Sequence, residues 1–234
     1  MRALVTGCGR RLGFYLCQQL VADGWQVTGS YRSERPELAQ LQALGVELVQ
    51  ADFCDAEAVD RLIQRLAVHQ DLALVIHNAS AFEPMSADPH QQLAQFEQFY
   101  RVHMAAPFQL NQALSPQLAA HDNASIIHLT DIYIHAPAPQ FASYVASKAG
   151  AHALAMSFAR ELAPHIRVNT IEPGPILFLD EHSAQWRQHV LAKTPLAREG
   201  GLEPIWQAVQ LLMTNHYMTG ASIRVDGGRA LAVI

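Results

Sequence analysis

Ala3-Leu4-Val5-Thr6-Gly7-Cys8-Gly9-Arg10-Arg11-Leu12-Gly13 is the stretch on which the fold turns. Ala3 to Thr6 is a short apolar run with β-branched members, which predicts a strand ending at Gly7. From Leu12 to Ala22 the leucines Leu12, Leu16 and Leu20 recur every four residues, so one face of a helix is apolar. Between them lies a turn with Gly7, Gly9 and Gly13. Missing side chains there let backbone N–H groups approach a pyrophosphate at the helix N-terminus. A tight turn with no ligand is the plainer reading of the same glycines. Cys8 is expected to be a small packing residue within it.

The alternation continues outward. Strands are predicted at Trp25–Ser30, Val46–Ala51, Leu72–Ile76, Ser125–Thr130, Arg167–Ile171 and Ser222–Val225. Helices are predicted at Glu37–Leu44, closed by Gly45, at Ala56–Val68, capped by Asp55, and at Phe141–Ala163. A long helical region spans Asp88 to His121, with Pro107 and Pro116 positioned to break or bend it. Two further helices precede the last strand. Leu72-Ala73-Leu74-Val75-Ile76 is apolar throughout, as in a strand covered on both faces. This order predicts an α/β fold, a single-domain doubly wound parallel sheet with right-handed crossovers over residues 1–234. No linker or repeat divides the chain, and the segment from Asp180 to Thr194 is expected to be a loop over the substrate.

Composition agrees. The 234 residues suffice for one sizeable core. Half are hydrophobic and 16% are charged, which is too apolar for a disordered chain. A net charge of −5 disfavours nucleic acid and anionic membrane as partners. No apolar window is long enough to span a bilayer, and the start does not follow the order of a signal peptide. Cys8, Cys17 and Cys54 have no paired-ligand spacing and are read as free thiols in a reducing, cytoplasmic setting. Twelve histidines form no metal motif, and no GxSxG elbow supports a serine hydrolase.

The end of the second strand bears on the ligand. A site for NAD usually carries a carboxylate there for the ribose hydroxyls. Gly29-Ser30-Tyr31-Arg32 has none. Arg32, joined by Arg10 or Arg11, suits a 2′-phosphate and so predicts NADP(H). The alternative is that these arginines are merely solvated.

Tyr144-Val145-Ala146-Ser147-Lys148 opens the helix after the fifth strand. A spacing of four places Tyr144 and Lys148 on one face. A free phenol has a pKa of about 10. A neighbouring ammonium is expected to lower it and make the phenol a better acid.

With the glycine turn and this Tyr/Lys pair, the chain resembles the short-chain dehydrogenase/reductase family over nearly its whole length. Asn78-Ala79, Pro173-Gly174 and Asp226-Gly227-Gly228 extend the match. The resemblance implies a Rossmann-type sheet of about seven strands and a nicotinamide between the Pro173-Gly174 loop and Tyr144. It implies that Lys148 holds the nicotinamide ribose, and that dimers or tetramers form through two long helices.

The departures narrow the reaction. Where the family usually has a serine, thirteen residues before Tyr144, this chain has Asp131. A carboxylate there repels the alkoxide of ketone reduction and favours a C=N group about to gain a proton. A protonated or averted Asp131 is the alternative. Asp131 and Arg11 resemble the pteridine reductases, and within them the bacterial branch acting on dihydromonapterin. Gly9-Arg10-Arg11-Leu12-Gly13, Ser30-Tyr31-Arg32, Ala51-Asp52-Phe53, His77-Asn78-Ala79-Ser80, Ile126-Ile127-His128-Leu129-Thr130-Asp131 and Ile176-Leu177-Phe178 carry that resemblance.

It implies NADPH-dependent reduction of a 7,8-dihydropterin, dihydromonapterin first and dihydrofolate more weakly. It puts Asp52, with Phe53, at the adenine, and Ser80 and Arg11 near the pterin or the phosphates. Phe82 would stack on the pterin, and Asp131, Tyr144 and Lys148 would form the catalytic set. Ordinary packing is the alternative for Phe82. His103 stands where the family often has an asparagine in a proton relay, and either relay or helix packing fits it. A reductase for another imine, enone or ketone, and a noncatalytic NADPH-binding regulator, remain as alternatives.

Overall fold

The computed structural model describes residues 1–232. Seven parallel strands form one sheet in the order β3-β2-β1-β4-β5-β6-β7. They are β1 (Arg2–Thr6), β2 (Gln26–Tyr31), β3 (Glu47–Gln50), β4 (Leu72–His77), β5 (Ala124–Leu129), β6 (Ile166–Pro173) and β7 (Ser222–Val225). The helices are α1 (Arg11–Ala22), α2 (Pro36–Ala43), α3 (Ala56–Ala67), α4 (Pro89–Tyr100), α5 (Ala106–Leu118), α6 (Ala142–Glu161), α7 (Ala184–Ala192), α8 (Glu203–Thr214) and α9 (Arg229–Ala232).

Helices cover both faces, which is why β4 and β5 are buried at every position. On one face Leu16 and Leu20 of α1, Leu38 and Leu41 of α2, and Ile205 and Trp206 of α8 close over Val5, Ile76 and Ile171. On the other, Leu62 of α3, Leu110 and Leu114 of α5 and Phe158 of α6 close over Leu4, Val75 and Ile126. Leu62 is fully buried, and truncating such a leucine to alanine costs about 2–5 kcal/mol. The order of strands reverses between β1 and β4, and this leaves a crevice at their C-terminal ends.

Element boundaries follow local chemistry. Asp55 Oδ1 accepts the Glu57 N–H at 2.9 Å and starts α3, and Asp88 does the same for His90 at the start of α4. The long helical region is interrupted close to Pro107, one of the two prolines expected to break or bend it. A π-helical turn, Arg101–Ala105, joins α4 to α5 and ends two residues before Pro107. Proline lacks an N–H and its ring clashes with the carbonyl four residues back, and the widened turn accommodates both. Pro116 sits in the last turn of α5.

The segment from Asp180 to Thr194 is corrected by the structure. Most of it is α7, because Ser183 Oγ accepts the Trp186 N–H at 3.1 Å and caps a helix there. Among the described residues, no helix is long and apolar enough to cross a membrane.

Candidate active site

The glycine turn joins β1 to α1 at the crevice. Gly7 has φ +70°, a left-handed backbone that favours glycine, and a Cβ there would lie 2.7 Å from Ala79 Cα. A Cβ on Gly13 would stand 2.1 Å from the Gly7 carbonyl oxygen. Asn78 braces the turn from β4: its Nδ2 donates to the carbonyls of Thr6 at 2.9 Å and Gly7 at 3.1 Å. Thr6 Oγ1 in turn accepts the N–H groups of Asn78 and Ala79, each at 3.0 Å. Arg11 adopts φ +51° where glycine is the easier residue, and its guanidinium donates to the Leu177 carbonyl. That bond ties the turn to the segment after β6. Burial and the neighbouring Arg10 push the Arg11 pKa down. Leu12, in the first turn of α1, packs against the core.

No side chain caps α1, and its first turn carries no acidic residue. Its N–H groups therefore suit an anion. The Cys8 N–H donates to the Ser30 carbonyl at 2.8 Å, which sets the turn against the end of β2. Arg10 and Arg32 are exposed at this edge, and neither pairs with an acidic group among the described residues. Arg35 is a third exposed guanidinium here: its Cγ lies 3.8 Å from a Cβ placed on Gly9. The sequence reading passed over it, although it follows Arg32 by three residues. Tyr31 donates to Glu34 at 2.9 Å. Asp52 is exposed and its Oδ1 accepts the Cys54 N–H at 2.9 Å. Phe53 is buried in the core beside α3, so its side chain does not face the crevice.

The end of β5 and the start of α6 bring Asp131, Tyr144 and Lys148 together. The Tyr144 hydroxyl donates to Asp131 Oδ2 at 2.7 Å, and the Tyr133 N–H donates to Asp131 Oδ1 at 2.8 Å. Lys148 Nζ donates to the Leu129 carbonyl at 2.9 Å and lies 5.9 Å from the Tyr144 ring centre.

The expected acidification of Tyr144 is corrected by this geometry. Its pKa is pushed well above the usual phenol value by burial and then by the adjoining Asp131. The phenol is a held donor. Burial pushes the Asp131 carboxyl up, only partly opposed by the N–H of Tyr133, the Tyr144 hydroxyl and Lys148. Burial also lowers Lys148 to about 8 against the attraction of Asp131.

Behind the phenol runs a second hydrogen-bonded chain. Ser80 Oγ lies 2.9 Å from His103 Nε2, and His103 Nδ1 lies 2.7 Å from Ser147 Oγ. Ser147 donates to the Tyr144 carbonyl at 2.6 Å. His103 is buried in the π-helical turn, and burial drives its pKa well below the usual value, so a neutral ring bridges the two hydroxyls. Ser147 was missed from the sequence, although it follows Tyr144 by one helical turn. His77 and His128 are buried side by side and share Asn111 between them, at 2.7 and 3.3 Å.

Phe82 is 41% exposed and packs edge-on against Tyr144 with ring centres 4.9 Å apart. Its other neighbour is Phe141, also at 4.9 Å. Phe178, His182 and Trp186 form a further aromatic group after β6, where the Phe178 N–H donates to Glu199 at 2.7 Å. Pro173-Gly174 ends β6, and the Gly174 N–H donates to the Val225 carbonyl at 3.0 Å. Among the described residues no His, Cys, Asp or Glu group is arranged to hold a metal ion. The crevice thus brings together an uncapped glycine turn, the half-exposed Phe82 ring and a buried carboxyl–phenol pair.

Residues 7–230 match a family model described as enoyl-(acyl carrier protein) reductase. The dihydromonapterin reductase of Enterobacter sp. (strain 638) is 36% identical over 232 residues, covering 97% of this chain and 96% of that protein. The protein of the same name from Escherichia coli (strain K12) is 35% identical with the same coverage. Among solved structures, the FolM alternative dihydrofolate reductase 1 from Brucella canis, complexed with NADP, superposes with a TM-score of 0.87 at 27% identity. That match covers 98% of this chain and 94% of the other. An acetoin dehydrogenase from Enterobacter cloacae shares the fold, with a TM-score of 0.85 at 24% identity, covering 98% and 95%.

Proposed function

Because the chain belongs to the short-chain dehydrogenase/reductase family, we propose that it is an NADPH-dependent oxidoreductase reducing a 7,8-dihydropterin to its tetrahydro form. Dihydromonapterin is the first candidate substrate and dihydrofolate a weaker one, in line with the names of the relatives. The observation that carries the reading is the hydrogen bond from Tyr144 to Asp131, a carboxyl whose pKa burial pushes up.

The crevice fits the cofactor. Its turn leaves no room for a Cβ at Gly7 or Gly13, α1 is uncapped, and Arg10 and Arg32 are free to meet a phosphate. Gly9, Arg11, Ser30, Tyr31, Asp52, Asn78, Ala79, Ser80, Pro173 and Gly174, with the backbone alone of Leu12 and Phe53, complete the proposed cofactor set. Bound NADPH supplies the hydride that C6 of the dihydropterin accepts. The protein's own work is at N5, which must gain a proton in the same reduction.

Asp131 accepts and releases that proton, because burial makes its carboxyl hold a proton more readily than one in water. Tyr144 orients the carboxyl and donates to the pterin as the contact opens. Lys148 and the Leu129 carbonyl fix the base of α6, and Lys148 is available to the cofactor ribose. His103 holds Ser80 at the rim. Phe82 and Arg11 line the pterin, and the aromatic face excludes water from a flat heterocycle.

A second copy of the chain is proposed as a partner, in a dimer or tetramer. Leu93, Phe96 and Tyr100 form an exposed stripe along α4, and Phe108 of α5 is exposed as well.

The test is NADPH oxidation with a panel of dihydropterins, dihydrofolate, cyclic imines, enones and ketones. Turnover of dihydropterins above the ketones is expected. Good ketone turnover with no dihydropterin reduction refutes the reading.

A further inference from the structure

We propose that Glu172 is a positioning residue: through His135 it anchors the turn that presents Asp131 to Tyr144. Glu172 lies at the end of β6 and is 1% exposed. A carboxylate so buried is costly unless it is paired, and even a paired one is seldom better for stability than an apolar side chain. Its surroundings give it a specific task. Glu172 Oε2 lies 2.9 Å from His135 Nε2. Its Oε1 has no hydrogen-bond partner, with His152 Nδ1 of α6 at 3.8 Å.

His135 closes the short 3-10 turn Ile132–Ile134, and Asp131 opens it. The turn is thus held at both ends. At the front, Asp131 Oδ1 accepts the Tyr133 N–H; at the back, His135 is tied to β6. Half of the His135 side chain faces solvent, so without Glu172 that end has no buried anchor. A shift of the turn by an ångström breaks the 2.7 Å bond from Tyr144 to Asp131.

Glu172 also acts through its charge. Burial chiefly pushes the Asp131 pKa up, and Glu172 adds the smallest of the contributions to it. The titratable and charged groups around Glu172 are His135 from the segment after β5, His152 from α6, and Arg224, its register partner on β7; Asp131, which feels its charge, is faced in turn by Tyr144 and Lys148 of α6. Arg224 is exposed and makes no ion pair with Glu172. Glu172 therefore combines a mechanical hold on the turn with a like charge that favours the protonated Asp131.

The role in catalysis rests on the proton-handling part given to Asp131 above, so the test has one arm that needs no substrate. The Asp131 carboxyl is titrated by NMR in 13C-aspartate-labelled, cofactor-free protein, its signal assigned by loss in Asp131→Asn. Glu172→Gln keeps an acceptor for His135 and removes the charge, and is expected to lower the Asp131 midpoint. His135→Ala releases the turn and with it the Tyr144 hydrogen bond that holds the Asp131 pKa down, and is expected to raise the midpoint.

In the kinetic arm His135→Ala loses about tenfold in kcat at unchanged KM for NADPH. His135→Gln, which can still donate to Glu172, restores most of it. Absent wild-type turnover of any dihydropterin counts against the substrate reading alone and leaves the NMR arm to decide this one. An Asp131 midpoint unmoved in both variants overturns the proposal.

Discussion

Lys148→Met tests the electrostatics of the site through stability. Lys148 is only 4% exposed, and burial lowers its pKa from 10.5 to about 8. At roughly 1.4 kcal/mol per pH unit, keeping this ammonium charged in the folded protein costs about 3 kcal/mol at neutral pH. The sign is set by which state holds the proton. Between pH 8 and 10.5 the unfolded chain still binds it while the folded protein has released it. The unfolded state binds more protons in that window, so this group's contribution to stability rises with pH.

Methionine has a similar length and no charge. It removes the penalty but leaves the Leu129 carbonyl without its partner, a loss of about 1–3 kcal/mol. The two effects nearly offset at pH 7, but only the first depends on pH. Urea unfolding of wild type and variant at pH 7 and pH 10.5, without cofactor, isolates it. The wild type should gain about 3 kcal/mol relative to Lys148→Met across this range. The one other lysine, Lys193, and the tyrosines titrate in both proteins and cancel. Identical pH dependence in the two proteins would show that Lys148 is not a buried cation and refute the reasoning.

Four further outcomes follow from the site. Tyr144→Phe should reduce kcat by about 100-fold while the NADPH Kd, measured by fluorescence, stays near wild type. Asp131→Ser should slow dihydropterin reduction by about tenfold or more, and unchanged turnover would remove Asp131 from the proton path. Arg32→Ala should weaken NADPH by about tenfold and NADH hardly at all, and an equal loss for both contradicts the 2′-phosphate contact. Gly13→Ala puts a methyl 2.1 Å from the Gly7 carbonyl, so a thermal melt should show about 1–3 kcal/mol of lost stability together with weaker NADPH binding.

The alternation of strand and helix, and hence the parallel sheet, was legible because periodicity is a local property. Leu12, Leu16 and Leu20 declare a helix face wherever that helix packs, and the unbroken apolar run of β4 requires cover on both sides. The glycine turn and the Tyr144/Lys148 pair were legible for the same reason, since each is a constraint on neighbouring residues. Pro107 marked an interruption, but the π-helical turn beside it packs, with α4, against α6, a placement that no local pattern carries.

Long-range placement decided the rest. The sequence by itself determined which residue types are present: a carboxyl thirteen residues before a tyrosine, and a lysine four residues after it. It could not determine their protonation. Only the fold buries Asp131 against Tyr144, raises both pKa values and lowers that of Lys148. Only the fold carries Glu172 from β6 to His135, 37 positions away in the chain. Proton affinity depends on solvent exclusion and on charges a few ångströms away, and those distances are set by packing between distant segments.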